Sequence, residues 1–203
     1  MLEIKELSHI IAIGRTQTGK TTLIKDGLIP ILPRFIMFDV AQRDNYQALC
    51  NVSTSNINEA LQALNKGLNV HYRSVGNSHL EIEAEYNAVC YAILNFFRHY
   101  CVVSDEAADL STPNRIPDYC DGILRRGLGT DILHITATQR PQLCSKNIFT
   151  QSLIKILFPV DDYDIKACRS YIPHIEKVST LGQYEAIITT GKEYEIIKVK
   201  KRF

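Results

Sequence analysis

The chain of 203 residues has almost no excess of charge of either sign. Lys and Arg number 23 against 22 Asp and Glu, a formal net charge of +1, so any contact with nucleic acid has to come from a local patch and not from the whole surface. No apolar run approaches the roughly 20 residues that cross a bilayer. The first residues, with Glu3, Lys5 and Glu6 ahead of a short apolar run, do not read as a secretion signal. The expectation is a soluble intracellular protein without a membrane span. Six cysteines (Cys50, Cys90, Cys101, Cys120, Cys144 and Cys168) stand singly, with no Cys-x-x-Cys pair and no histidine at zinc-ligand spacing. That argues against a metal cluster and for buried thiols, reduced in an ordinary cytosol, and leaves disulfides open. Repeats, linkers and low-complexity segments are absent too, and the length with 45% hydrophobic residues suits one globular domain over residues 1–203.

What the chain does have is concentrated in Gly14-Arg15-Thr16-Gln17-Thr18-Gly19-Lys20-Thr21-Thr22, between the apolar run Ile10-Ile11-Ala12-Ile13 and a helix-compatible stretch from Thr21 to Leu28. This is the pattern of a phosphate-binding loop. Gly14 and Gly19 let the backbone bend and aim N–H groups at phosphate oxygens, Lys20 reaches the β- and γ-phosphates, and Thr21 holds a magnesium ion. The helix that follows adds the positive end of its dipole.

Beyond the loop, Pro30 and Pro33 predict a break, and Phe35-Ile36-Met37-Phe38 reads as a buried strand ending at Asp39. Asn56 with Glu59 starts a helix whose apolar face is Ile57, Ala60, Leu61 and Leu64, and Gly67 ends it. A strand over 70–75 follows. Ser78 and Glu81 cap a longer helix with the core stripe Ile82, Tyr86, Val89, Ile93 and Phe97. Further strands are expected over 100–104, 132–138 and 153–158, short helices over 117–126 and 163–171, and Gly127 is expected to end the first of these. A hairpin over 184–189 and 194–200 closes the chain. Strands alternating with helices predict an α/β fold, a mainly parallel sheet covered on both faces with an antiparallel hairpin at its end. Ligands in such sheets sit at the carboxyl ends of the strands, where Gly14, Asp105-Glu106 and Gln139 all fall.

Asp105 ends an apolar strand, a position from which a carboxylate holds magnesium together with Thr21. Glu106 beside it suits a general base acting on water, which points to hydrolysis of a γ-phosphate. The plain alternative is two solvated acids at a strand end. Gln139 reads either as a loop residue or as a group that senses γ-phosphate or water. Arg125-Arg126 reads either as two cations favourably placed at a helix C-terminus or as an arginine finger for a neighbouring subunit.

Taken together, Gly14 to Thr22, Val102-Val103-Ser104-Asp105-Glu106, Arg125-Arg126-Gly127 and Ala137-Thr138-Gln139-Arg140-Pro141 resemble the FtsK/HerA superfamily of DNA-pumping ATPases, and the small size resembles its viral genome-packaging branch. Leu181-Gly182-Gln183-Tyr184-Glu185-Ala186 and the final hairpin extend the likeness over nearly the whole chain. The resemblance implies a P-loop NTPase of RecA/ASCE-like fold, with ATP and Mg2+ bound by Lys20, Thr21 and Asp105. It makes Glu106 the base and Gln139 the sensor, and it implies a ring, a pentamer or hexamer, with an arginine finger in trans. The partners it implies are double-stranded DNA and the capsid or portal vertex, in the host cytoplasm or on the virion. One departure is the longer connection Gly127-Leu128-Gly129-Thr130-Asp131, which makes Arg126 the first choice for the finger and Arg125 the second. Lys146, Lys198, Lys200, Lys201 and Arg202 are candidate DNA contacts, the last four equally readable as a solvated tail. Rival readings are a small P-loop kinase or GTPase and a non-motor switch that binds a protein partner. The chain has no Asn-Lys-x-Asp run for guanine and no arginine-rich lid.

Overall fold

In the computed structural model, which describes residues 8–41 and 44–199, nine strands form one sheet. They are β1 (Ile10–Ile13), β2 (Phe35–Asp39), β3 (Val52–Thr54), β4 (Val70–Arg73), β5 (Tyr100–Ser104), β6 (Ile132–Thr138), β7 (Ile154–Leu157), β8 (Glu185–Thr189) and β9 (Tyr194–Lys198). Across the sheet the order is β3-β4-β2-β5-β6-β1-β7-β8-β9. Strands β1 to β7 pair in parallel, and β8 and β9 form the antiparallel end. Glu3, Lys5, Glu6, Lys200, Lys201 and Arg202 lie outside the described residues.

The helices are α1 (Lys20–Leu23), α2 (Ile57–Asn65), α3 (His79–Phe96), α4 (Asp118–Arg126), α5 (Lys146–Gln151) and α6 (Asp162–Cys168). Side chains alternate across a strand, so Ile11 and Ile13 join one core with α2, α3 and α4, while Ile10 and Ala12 join a second with Leu23, Ile24 and Leu28. Both faces are thereby covered, and β1, β2, β5, β6 and β7 are buried throughout. Among the described residues no helix is long and apolar enough to cross a membrane.

Local chemistry explains the element boundaries. The Asn56 side chain accepts from the amides of Asn58 and Glu59, and Ser78 with Glu81 forms a reciprocal capping box that starts α3. A lost cap of this kind costs about 1 kcal/mol. One expectation is corrected. The stretch after the loop is not one regular helix to Leu28: α1 gives way to a wider π-turn over Ile24–Leu28 and a tighter turn over Ile29–Ile31 that contains Pro30. Pro30 lacks the N–H that an α-turn would bond to Asp26, so the regular ladder is lost before the proline and the chain leaves the helix only at Leu32. Gly127 lies just past the end of α4, as expected, although its φ is −60° and not left-handed: the chain continues as a 3-10 turn over Gly127–Thr130, and the left-handed residue is Asp131 at φ 56°. A β-carbon at Gly127 would lie 2.8 Å from the Ile132 carbonyl oxygen, so contact and not φ calls for glycine there.

Candidate functional site

The segment after β1 closes into a loop because neighbouring strand ends hold it. The amide of Gly14 donates to the Thr138 carbonyl at 3.1 Å, and that of Arg15 to the Pro159 carbonyl at 3.0 Å. A side chain at Gly14 would put its β-carbon 2.5 Å from Cβ of Phe158, and Gly19 sits at φ 113°, a conformation open mainly to glycine. Lys20 is 6% exposed and its Nζ donates to the Gly14 carbonyl and, at 2.8 Å, to the Arg15 carbonyl. The ammonium thus lies inside the loop. Thr18 Oγ1 donates to the Arg15 carbonyl at 2.8 Å, Gln17 takes a left-handed φ of 63°, and Thr21 and Thr22 open α1 half-buried.

β5 delivers Asp105 and Glu106, and β6 delivers Gln139, to the same end of the sheet. Asp105, Glu106 and Gln139 line one cleft of about 100 Å3 with Val40, Ala41 and Asp109. Gln139 also touches the loop, where Thr16 Oγ1 donates to its Oε1 at 2.5 Å. Glu106 is held by several donors: Thr138 Oγ1 at 2.7 Å, the Ala108 amide at 3.2 Å and the Gln139 amide at 3.1 Å. Burial raises its carboxyl above the usual glutamate range, those donors draw it partly back, and Asp109 adds to the rise. A carboxylate moved in this direction is a better proton acceptor for water at neutral pH.

Seen whole, the chain resembles several solved structures. It aligns with the genome packaging NTPase B204 of Sulfolobus turreted icosahedral virus 2 in complex with sulfate at a TM-score of 0.80 and 19% identity, over 96% of this chain and 97% of that one. For the same protein in complex with ATP-gammaS the values are 0.77 and 18%, over 95% and 98%. VirB4 of Thermoanaerobacter pseudethanolicus matches at 0.69 and 10%, over 96% of this chain and 89% of that one. The fold is that of a P-loop ATPase. The sequence matches no protein-family model and no curated protein.

The P-loop and the Asp105, Glu106 and Gln139 cleft are therefore adjacent, but Arg125 and Arg126 are not part of them. Both are exposed at the end of α4, which leads into the amino end of β6, the opposite end of the sheet. Arg125 Nε pairs with Asp121 at 2.7 Å. Lys146 is exposed with its ammonium 5.5 Å from the Tyr171 ring centre, and Lys198 is exposed on β9.

Sequence reasoning missed Tyr46. It belongs to a 3-10 segment, Asp44–Leu49, is fully buried, and lies with its hydroxyl beside Thr21 and Asp105 without a hydrogen bond of full geometry to either. Burial first, then the Asp105 carboxylate, pushes its phenol upward and keeps it neutral. Its ring stands 6.5 Å from that of His71, which is fixed between Ser53 Oγ at 3.0 Å and the buried Asp39 at 3.1 Å. Hard oxygen donors from Thr21 and Asp105, with a neutral hydroxyl next to both, fit a magnesium ion. No local pattern around Asp44-Asn45-Tyr46 signals this, because the tyrosine reaches the site only through the fold.

Proposed function

We propose that the chain is a magnesium-dependent ATPase of the FtsK/HerA superfamily, assembling as a ring that drives double-stranded DNA into a viral capsid. The observation that carries the reading is the cleft of Asp105, Glu106 and Gln139 beside the P-loop, within a fold shared end to end with packaging NTPases. Lys20, already aimed into the loop, gives its protons to phosphate oxygens in place of the Gly14 and Arg15 carbonyls. Thr21 and Asp105 would hold magnesium, which neutralises phosphate charge. Glu106 orients water and takes its proton, and Gln139 ties the loop to Glu106 through its side chain and its amide. Arg126, or Arg125, serves a neighbouring copy, because the end of α4 is remote from its own loop.

Turnover of ATP with and without duplex DNA, at concentrations spanning assembly, tests the motor. A net charge of +1 predicts weak binding by one copy, with several copies around a channel summing their phosphate contacts. Stimulation by duplex of any sequence, lost steeply with salt and present only where the ring forms, is expected. Turnover indifferent to DNA under assembly conditions favours a protein-partner switch. For the arginine, Arg126→Ala mixed with Lys20→Ala should recover part of the activity, since some interfaces then pair an intact loop with an intact finger. No recovery at any ratio, with assembly verified, points to Arg125 or to a role within one subunit.

A further inference from the structure

The antiparallel end of the sheet stops at β9, which pairs with β8 on one side and, among the described residues, with no strand on the other. One bond sets the phase of that pairing. The amide of Val199 donates at 2.8 Å to the carbonyl of Tyr184, which stands opposite it in the ladder, so Ile197 and Glu195 also turn their peptide groups toward β8. Tyr194, Ile196 and Lys198 therefore turn theirs outward, to the open edge. Their side chains share one face of the sheet, with Tyr194 43% and Ile196 53% exposed. Tyr194 is steadied there by His174, the two ring centres lying 4.8 Å apart.

An open edge is a template for another strand, and proteins blunt it with proline or with a bulge that twists it away. β9 has neither: Tyr194–Lys198 contains no proline and pairs one to one with β8. A second β9, related by a two-fold axis normal to the sheet, meets this edge antiparallel. With the axis at Ile196, the outward peptide groups of Tyr194, Ile196 and Lys198 face those of Lys198, Ile196 and Tyr194 of the second copy, and all three exchange bonds. No other centre does this. An axis at Glu195 sets that carboxylate against its own copy and leaves Lys198 opposite the hairpin turn, while an axis at Ile197 leaves Tyr194 past the end of the second strand. An axis at Lys198 sets two ammonium groups together. At Ile196 the exposed isoleucines meet each other, and the lysine stem lies along the tyrosine ring with its ammonium in water.

We propose that β9 binds β9 of a second copy of this chain, antiparallel and centred on Ile196, so that one sheet runs through both copies. The contact closes with two copies and rests neither on the ring reading nor on the nucleotide site. One strand pair is a small interface, so monomer and dimer exchange and protein concentration sets their ratio.

Sedimentation velocity of the full chain over a concentration series, without nucleotide or DNA, should show a dimer that grows with concentration. Ile196→Pro should weaken it about tenfold or more, because it removes an outward N–H and leaves the bonds to β8 in place. Ile196→Lys sets two cations at the axis and should weaken it as much, with part of the loss restored by salt. The register has its own readout. Opposed, hydrogen-bonded residues hold their Cα atoms about 5.5 Å apart, within disulfide reach. Ile196→Cys should therefore cross-link to its own copy under copper-phenanthroline and air, whereas Tyr194→Cys, set opposite Lys198, should cross-link no more than the unaltered chain. Circular dichroism checks folding, and if Ile196→Pro unfolds, Ile196→Lys and the cross-linking pair carry the test. A chain that is monomeric at every concentration overturns the inference. So does association that Ile196→Pro and Ile196→Lys leave unaltered, or cross-linking of Tyr194→Cys equal to that of Ile196→Cys. Each of these results leaves the ATPase reading standing, since that reading is tested by turnover.

Discussion

Thr138→Val perturbs the candidate base without touching it covalently. Thr138 is fully buried and its Oγ1 donates to Glu106 Oε1 at 2.7 Å, a short bond to a carboxylate. Valine keeps the shape and removes both the donor to Glu106 and the acceptor of the Arg140 amide at 3.1 Å and of the Cys144 thiol at 3.3 Å. A hydrogen bond to a charged group contributes about 1.5–3 kcal/mol, and one pH unit corresponds to about 1.4 kcal/mol. The amides of Ala108 and Gln139 still hold Glu106, so the acid limb of the ATPase pH profile should move upward by about one unit and not by the full range. The same bond sets a stability signature. Glu106 sits above the usual glutamate range, so the native state binds its proton more tightly than the unfolded chain. Its contribution to stability is complete at low pH and is lost as pH rises from the ordinary glutamate range through the raised native value. Thr138→Val pushes that native value further up and also leaves the Arg140 amide without its acceptor, so urea melts should show one loss of stability that does not vary with pH and a further loss that sets in only as pH rises above the ordinary glutamate range. Thr138→Ser retains a donor and should sit close to the unaltered chain on both readouts. An acid limb that stays put in Thr138→Val, or that moves as far in Thr138→Ser, would refute the reasoning.

Lys20→Ala should abolish nucleotide binding, while Glu106→Gln should keep ATP affinity in the presence of magnesium and hydrolyse at least about a hundredfold more slowly. Equal loss of affinity in calorimetry of both variants contradicts the base assignment. Tyr46→Phe keeps the buried ring and removes the hydroxyl beside Thr21 and Asp105, so affinity for magnesium-nucleotide should fall several-fold while affinity for metal-free nucleotide is unchanged. Equal falls in the two titrations would deny it a part in holding the metal side. Gly14→Ala drives a β-carbon to 2.5 Å from Cβ of Phe158, a contact neither backbone can relieve cheaply, and should lower stability by about 1–3 kcal/mol in urea melts. A neutral outcome would mean that the β7 end moves away.

What the sequence made legible follows from how local each signal is. The capping box at Ser78 and the Asn56 cap lie within four residues of what they control, and α2 and α3 start where those signals put them. β1, β2, β5 and β6 were legible because a strand buried on both faces must be apolar throughout. β3 was not: three residues carry too little alternation, and it exists because it pairs with β4 and because Asn51 and Asn69 clamp its start, with Asn69 N donating to Asn51 Oδ1 at 2.8 Å. α5 is likewise short, and its capping Ser145 is meaningful only once the turn after β6 is in place. At the site, the P-loop, Asp105, Glu106 and Gln139 could be found because each ends an apolar run. Tyr46 could not, since it reaches Thr21 and Asp105 from a separate irregular segment.

Gln139 stands in the wall shared by two neighbouring pockets. It lines the small cleft with Asp105 and Glu106 and also a neighbouring pocket of about 340 Å3 with Arg15 and Thr16 of the loop. Its Oε1 accepts from Thr16, and its own amide holds the Glu106 carboxylate. A phosphate entering the loop competes for the Thr16 hydroxyl, which frees the Gln139 side chain. That event acts on a residue whose backbone N–H is one of the donors that hold the Glu106 carboxylate in the wall of the cleft. On the proposed reading, occupation of the loop is passed to the candidate base by hydrogen bonds within one short segment, Thr16 to Gln139 to Glu106, and needs no long-range rearrangement.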